Sequence, residues 1–248
     1  MRRREVILAL SVLLLLWQGI AMLLRRDILP SPLIVGTALI REFPHQLGMH
    51  FLVSLYRVLA SIGLSVALAA PAGIVLGQSR RLGHIFAPVL YLLYPIPKVV
   101  LVPLVMLFLG VGDAAKIAII TMILFFQILV LVRDAAAGIR PELLLSVRSL
   151  GAGRRALFRF VYLPATLPAI LTAVRQSIGG AVAVLYIAEL FATRYGLGYY
   201  IYYQGSTLFD YPKMYAGLVA MSLMGLGLYL SVDAVERSVC RWCTAYKW

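Results

Sequence analysis

The sequence predicts an all-α protein: a polytopic membrane helix bundle of about six transmembrane helices forming a single domain, 1–248. Three observations predict it. Hydrophobic residues make up 62% of the 248 and charged residues only 13%, and the mean hydropathy is +0.93, outside the range of ordinary soluble domains. Apolar runs long enough to cross about 30 Å of hydrocarbon recur along the chain with short polar or proline-containing breaks between them. One longer basic stretch, from Arg133 to Ile170, interrupts the pattern.

The formal net charge of +13 invites a nucleic-acid reading. The basic residues, however, sit in short clusters between apolar runs rather than along one amphipathic face, so loop charge that sets membrane topology explains them better. No nucleic-acid partner is expected. Cys240 and Cys243 form a C-x-x-C with no second pair to complete a four-ligand zinc site, so neither a metal nor a redox centre is expected there.

The first span is 6–24. Arg2, Arg3 and Arg4 precede an apolar body longer than a signal-peptide core, and no small-residue cleavage pattern follows it. Leu29-Pro30-Ser31-Pro32 then suits an external turn ahead of a short interfacial helix. The second span, 52–77, carries Ala69, Gly73 and Gly77 at four-residue spacing, which lets a partner helix approach closely. It ends at a basic turn containing Arg80 and Arg81. The third span, 86–110, holds Pro88, Pro95, Pro97 and Pro103, and Pro95-Ile96-Pro97-Lys98 breaks or kinks it. Irregular backbone at membrane depth persists where it is buried in protein or lines a cavity. Pro95, Pro97 and Lys98 are therefore candidate pathway residues, with a packing kink as the other reading.

Val111-Gly112-Asp113 makes an external turn before the fourth span, 114–132. After the basic loop, 133–163, Pro164 and Pro168 open the fifth span, 168–190. A tyrosine-rich loop of membrane-interface character follows. The sixth span, 215–232, has Gly217, Gly225 and Gly227 for close packing, and a short basic tail ends the chain. With the amino terminus inside, fourteen basic residues fall on the inner side and seven on the outer, the latter including Arg57 and Lys116. That bias places both termini in the cytoplasm.

Within the basic loop, Pro141 suits the first helical position, Glu142 the positive end of the helix, and Gly151 a left-handed stop. A first short helix is thus predicted over Glu142–Leu150. Its apolar stripe is Leu143, Leu144, Val147 and Leu150. A second helix, Arg154–Tyr162, would return the chain to the membrane and end at Leu163-Pro164. The stripe could be covered by the chain's own spans, by lipid, or by the groove of a partner protein.

The run Pro141-Glu142-Leu143-Leu144, then Arg148-Ser149-Leu150-Gly151-Ala152-Gly153-Arg154, then Leu163-Pro164-Ala165-Thr166-Leu167-Pro168, resembles the EAA loop of ABC importer permeases. Together with Leu29-Pro30-Ser31-Pro32, Pro95-Ile96-Pro97, Ala188-Glu189 and Gly196-Leu197-Gly198-Tyr199, it is similar over nearly the whole chain to the permeases of the nitrate, sulfonate and taurine importer family. The resemblance implies a MetI-like permease fold in the cytoplasmic (inner) membrane. It also implies a second copy of the permease, two ATP-binding cassette subunits and an external substrate-binding protein. The ATPase-coupling residues would be Glu142, Leu143, Leu145, Ser146, Val147, Arg148, Ser149, Leu150, Gly151, Ala152, Arg154, Arg155 and Phe158. One departure stands out: the glutamate and two alanines that name the loop correspond here to Leu145, Ser146 and Val147.

No G-x-x-x-x-G-K-[ST] occurs, so this chain is expected to bind no ATP and to be non-catalytic; ATP and magnesium would reside in the cassette subunit. Arg175 and Glu189 are the ionisable residues of the fifth span. They lie on one helix face, with Gln176, Ser177 and Tyr186 nearby. They read either as pathway residues, with Arg175 attracting an anion near the inner mouth and Glu189 beside the outer gate, or as a snorkelling arginine and a glutamate paired with Arg194. His45, His50 and His84 read as interface or loop residues. The solute is expected to be small and anionic or sulfonate-like, with a thiamine or riboflavin precursor as alternative. An ion-coupled secondary transporter or a membrane enzyme lacks supporting motifs.

Overall fold

The structure is a computed structural model that describes residues 3–24, 26–191 and 193–240. Its helices are α1 (Arg3–Leu24), α2 (Pro32–Glu42), α3 (Gly48–Gln78), α4 (Arg80–Leu93), α5 (Val102–Leu109), α6 (Asp113–Ala137), α7 (Pro141–Ser149), α8 (Arg154–Leu157), α9 (Leu163–Leu190), α10 (Leu197–Tyr202) and α11 (Tyr211–Val239). The chain divides into two compact units. One comprises Met1–Leu55 with Tyr186–Met224, the other Tyr56–Leu185 with Gly225–Trp248.

In the second unit, α3 and α6 pack in a constant register. Arg57 pairs with Asp113, the Ser61 hydroxyl donates to the Ile117 carbonyl, and the Ser65 hydroxyl donates to the Thr121 carbonyl, each at an offset of 56 residues. A side chain at Gly73 would meet Val132, and one at Gly77 would meet Ala136, so the backbones themselves approach where small residues recur. Because the paired numbers rise together, the two helices run parallel. The segment between them must then return the chain to the side on which α3 began. That segment is α4 and α5, each too short to cross alone, bent by 78° at the break before Lys98. Among the described residues five helices are individually long and apolar enough to span, and the parallel register makes the bent pair a sixth crossing.

The opposite relation holds for α9 and α11. Thr172 meets Glu236, Arg175 meets Asp233, and Gly225 faces Val182, so one number falls as the other rises and the helices are antiparallel. The end of α11 therefore lies on the side from which α9 departs. This helix runs to Val239, seven residues past the predicted boundary of the sixth span, because the sequence after Val232 keeps helix formers and i,i+4 pairs such as Asp233–Arg237. Gly227, predicted to pack, faces open space.

Two predicted boundaries are corrected. The helix at Arg154 does not end at Leu163-Pro164. A π-helical turn, Phe158–Tyr162, with the Leu163 amide on the Phe158 carbonyl, admits the proline without an interruption, and helix continues from Arg154 to Leu190. In the same way α2 does not stand alone. A π turn at Phe43–Leu47 absorbs Pro44 and joins α2 to α3 as a continuous helix of 47 residues. It starts directly after the expected Leu29-Pro30-Ser31-Pro32 turn, where Ser31 caps it by accepting from the Ile34 amide and Pro32 follows.

In the first unit, Trp17 of α1 lies 6.0 Å from Tyr215 of α11. Ala21 is buried and Gln18 half-buried, while the leucines and isoleucines of α1 are exposed. A helix apolar all round with most of its surface uncovered belongs in lipid.

Candidate functional site

The basic loop forms one short helix, α7, which ends at Gly151 as its caps predict, and the start of the long helix from Arg154. Pro141 opens α7, Glu142 sits in its first turn, and Gly151 adopts φ +81° with its amide on the Arg148 carbonyl. Ser149 secures the last turn by donating to the Ser146 carbonyl. The stripe is only partly covered. Leu144 and Val147 are half-buried, whereas Leu143 is 48%, Leu145 62% and Leu150 84% exposed. Ser146, Arg148, Arg154 and Arg155 are exposed as well, and Ala152 and Phe158 half-buried. Leu143 and Leu150, seven residues apart, thus stand exposed on one face among arginines, and Leu145, at the position of the missing glutamate, is exposed on the other side of α7.

At the broken span, helix α4 ends with carbonyls that have no intrahelical partner. The Lys98 ammonium supplies one, donating to the Leu93 oxygen at 2.9 Å and the Tyr94 oxygen at 2.6 Å. It also lies 4.7 Å from the centre of the Phe126 ring and 5.4 Å from that of Tyr94. A cation at the negative end of a half-helix, flanked by aromatic faces, fixes the bend. Pro95 lines a cleft of about 840 Å³ together with Tyr91, Tyr94, Val130 and Arg133.

The two ionisable residues of α9 sit in different compact units. Arg175 donates to Asp233 at 2.9 Å and lies 3.0 Å from Glu236; Gln176 beside it is exposed. Glu189 is 0% exposed. Its two carboxylate oxygens each lie 2.9 Å from the Ser54 hydroxyl, and one accepts from the Gly198 amide at 2.8 Å. The Leu197 amide donates to Ser54, and the Gly196 amide donates to His50 Nδ1 at 3.0 Å. Three successive amides at the start of α10 are therefore capped by side chains, with a carboxylate at the positive helix end. Tyr186, half-buried, contributes its carbonyl to the crowded wall beneath Gly198. Nor does Gly196, at φ +134°, leave room for a side chain, because the Glu189 carboxylate fills the space.

Several of these groups lay outside the sequence reading. His50, read as a loop or interface residue, is a buried member of α3 whose ring is surrounded by Tyr195, Tyr199 and Tyr200. Burial pushes the Tyr200 phenol well above its ordinary range, with Glu42 and Asp210 adding to the rise. Arg57 and Lys116, counted as outer-loop charges, are 3% and 1% exposed; the first pairs with Asp113, the second donates to the Val111 carbonyl. Asp233 and Glu236 read as tail. A serine or aspartate at four-residue spacing opposite another span was the one available signal, and it needs the pairing register to be read. Cys240 is buried, and Cys243, Arg241 and Lys247 lie outside the described residues.

Comparison with known proteins gives the site its context. Residues 69–241 match the family described as binding-protein-dependent transport system inner membrane component. The riboflavin transport system permease protein RibX of Chloroflexus aurantiacus is 32% identical over 236 residues, 94% of this chain and 88% of that one. The taurine transport system permease protein TauC of Escherichia coli K12 is 29% identical over 241 residues, 94% and 87% of the two chains. In three dimensions, a chain of the inward-facing MetNI methionine ABC transporter superposes with a TM-score of 0.65 at 19% identity, covering 78% of this chain and 95% of that one, so the MetI-like fold is shared. With the family match spanning most of the chain, six crossings and a helical loop between the fourth and fifth, the protein belongs to the binding-protein-dependent transport system inner membrane components and is a multi-pass permease subunit of an ABC importer.

Proposed function

We propose that this permease imports a small anionic, sulfonate-like solute, with two copies forming the pathway, two ATP-binding cassette subunits docked on α7 and α8, and a binding protein delivering solute from outside. Both termini and the α7–α8 loop lie in the cytoplasm in this reading, where basic residues accumulate. The observation that carries it is the pair of exposed leucines on one face at α7, Leu143 and Leu150, set at the foot of the continuous helix from Arg154 to Leu190. A partner groove that takes this face can move a membrane-spanning helix directly, which is what alternating access requires. The full coupling set is Glu142, Leu143, Leu145, Ser146, Val147, Arg148, Ser149, Leu150, Gly151, Ala152, Arg154, Arg155 and Phe158.

Pro95, Pro97, Lys98, Gln176 and Tyr186 form the pathway wall in this reading, and Glu189 secures the loop at its outer mouth. Likeness to TauC supports the sulfonate class; likeness to RibX supports a vitamin-type solute as the second reading. ATP and magnesium belong to the cassette subunit. The test is reconstitution of the permease with its cassette subunit and binding protein in vesicles, with uptake of labelled taurine or riboflavin followed with and without ATP. ATP-dependent taurine uptake supports the first reading, and riboflavin uptake the second. Uptake driven by an ion gradient without ATP would falsify both.

A further inference from the structure

One arginine in the middle of α9 is gripped by a single face of α11. Tyr229, Asp233 and Glu236 stand at i, i+4 and i+7, one stripe of that helix, and all three converge on the Arg175 guanidinium. Asp233 lies at 2.9 Å and Glu236 at 3.0 Å, and the Tyr229 ring centre is 6.0 Å away. Thr172, one turn earlier on α9, donates to the other Glu236 oxygen at 3.4 Å, while Arg237 holds the other Asp233 oxygen at 2.6 Å. Two carboxylates and two guanidiniums balance, so the cluster presents little field to a passing anion. That is a poor anion trap.

It is a good fastener. Ion pairs of this kind add little net stability, but they set which positions of two helices lie opposite each other. The helix that carries Arg175 is continuous with α8 at the corner of the basic loop, and the loop, Arg175 and the Asp233–Arg237 turn all belong to one compact unit. Arg175 stands twenty-one residues beyond Arg154, about 30 Å of helix.

We infer that Arg175 is a positioning residue that makes α11 move with α9, so that motion imparted to the α7–α8 loop reaches two spans rather than one. This rests on the permease reading and deepens it. Loss of the clasp leaves the loop able to engage the ATPase while half of the moving body stays behind. ATP is then hydrolysed without solute crossing.

The experiment uses the whole importer in vesicles, in a parent chain carrying Cys240→Ser and Cys243→Ser, and reads ATP hydrolysed per solute imported. Arg175→Gln is expected to raise that ratio about tenfold, the scale of a typical coupling free energy, with hydrolysis itself preserved; Arg175→Lys, which keeps one ion pair, falls between. Adding Thr172→Cys and Glu236→Cys to Arg175→Gln replaces the clasp with a disulfide. Oxidation is expected to return the ratio toward the parent value, and reduction to abolish the rescue in the same vesicles. If Arg175→Gln fails to assemble, Asp233→Asn with Glu236→Gln keeps the arginine and predicts the same rise. An unchanged ratio in the arginine and carboxylate variants overturns the inference. So does a disulfide that forms without rescue while selectivity between anionic and neutral solutes changes, since Arg175 would then touch the solute. A parent complex with no ATP-dependent uptake removes the permease reading as well, an outcome distinct from either.

Discussion

Helix α9 carries a carboxylate near one end and a guanidinium near its middle, and the two are housed in opposite ways. Glu189 is sealed from solvent, held by the Ser54 hydroxyl and the Gly198 amide and crowded by Gly196. Arg175 keeps 24% of its side-chain surface and meets two carboxylates, Asp233 and Glu236, that are 20% and 22% exposed. The first arrangement is a cap. Its donors include backbone amides of α10, so the carboxylate can leave only if the loop around Gly196 comes apart. The second is a contact between side chains of two helices and can be remade in another register without unfolding either. A fixed point and an adjustable one on the same helix suit a protein in which some parts must hold while others move.

This contrast can be broken at four places. The largest effect is expected at Gly196→Ala, where a methyl group would enter the space of the Glu189 carboxylate at a backbone angle disfavoured for any other residue. A cost of about 3 kcal/mol or more follows from the strained backbone and the displaced carboxylate together, seen as loss of monodisperse protein or a large fall in Tm in detergent. Ser54→Ala comes next. It strips the Leu197 amide of its acceptor and Glu189 of a donor, for about 2 kcal/mol.

Arg175→Gln is expected to cost less, about 1 kcal/mol or below, because its ion pairs are partly exposed and screened. Salt separates the two cases. At about 0.5 M salt the Tm gap between the parent and Arg175→Gln should shrink, whereas the gap for Ser54→Ala should persist. If both gaps respond alike, the distinction between cap and ion pair is wrong. The smallest effect on stability is expected at Leu145→Glu. That side chain is 62% exposed, so the change should stay within about 0.5 kcal/mol. It should instead alter ATPase stimulation by the permease, and unchanged assembly and coupling would show that the missing glutamate is immaterial here.

The legibility of the molecule follows the range of the interactions. Gly151 in its left-handed stop, Pro141 at the start of α7, the turn at Leu29-Pro30-Ser31-Pro32 ahead of α2 and the break before Lys98 were all readable, because each is decided within four or five residues of chain. The candidate site was readable in the same measure. The α7–α8 loop, Arg175 and Glu189 were marked by charge in an apolar setting, while Ser54, His50, Asp233 and Glu236 were not, since their partners lie tens of residues or more away. Helix ends at prolines were misjudged. A π turn at Phe158–Tyr162 or Phe43–Leu47 lets the helix run on, and what decides that is the packing of buried neighbours such as Leu157, Val161 and Leu47.

By itself, then, the sequence determined a six-span helical membrane protein with a basic two-helix loop, because hydropathy, capping and backbone sterics act locally. Tertiary structure decided that α3 and α6 run parallel, which makes the bent α4–α5 segment a crossing. It also decided that Glu189 belongs to a cap and Arg175 to a pair of helices. A buried charge must find its partner wherever the fold brings one, and only the fold fixes where that is.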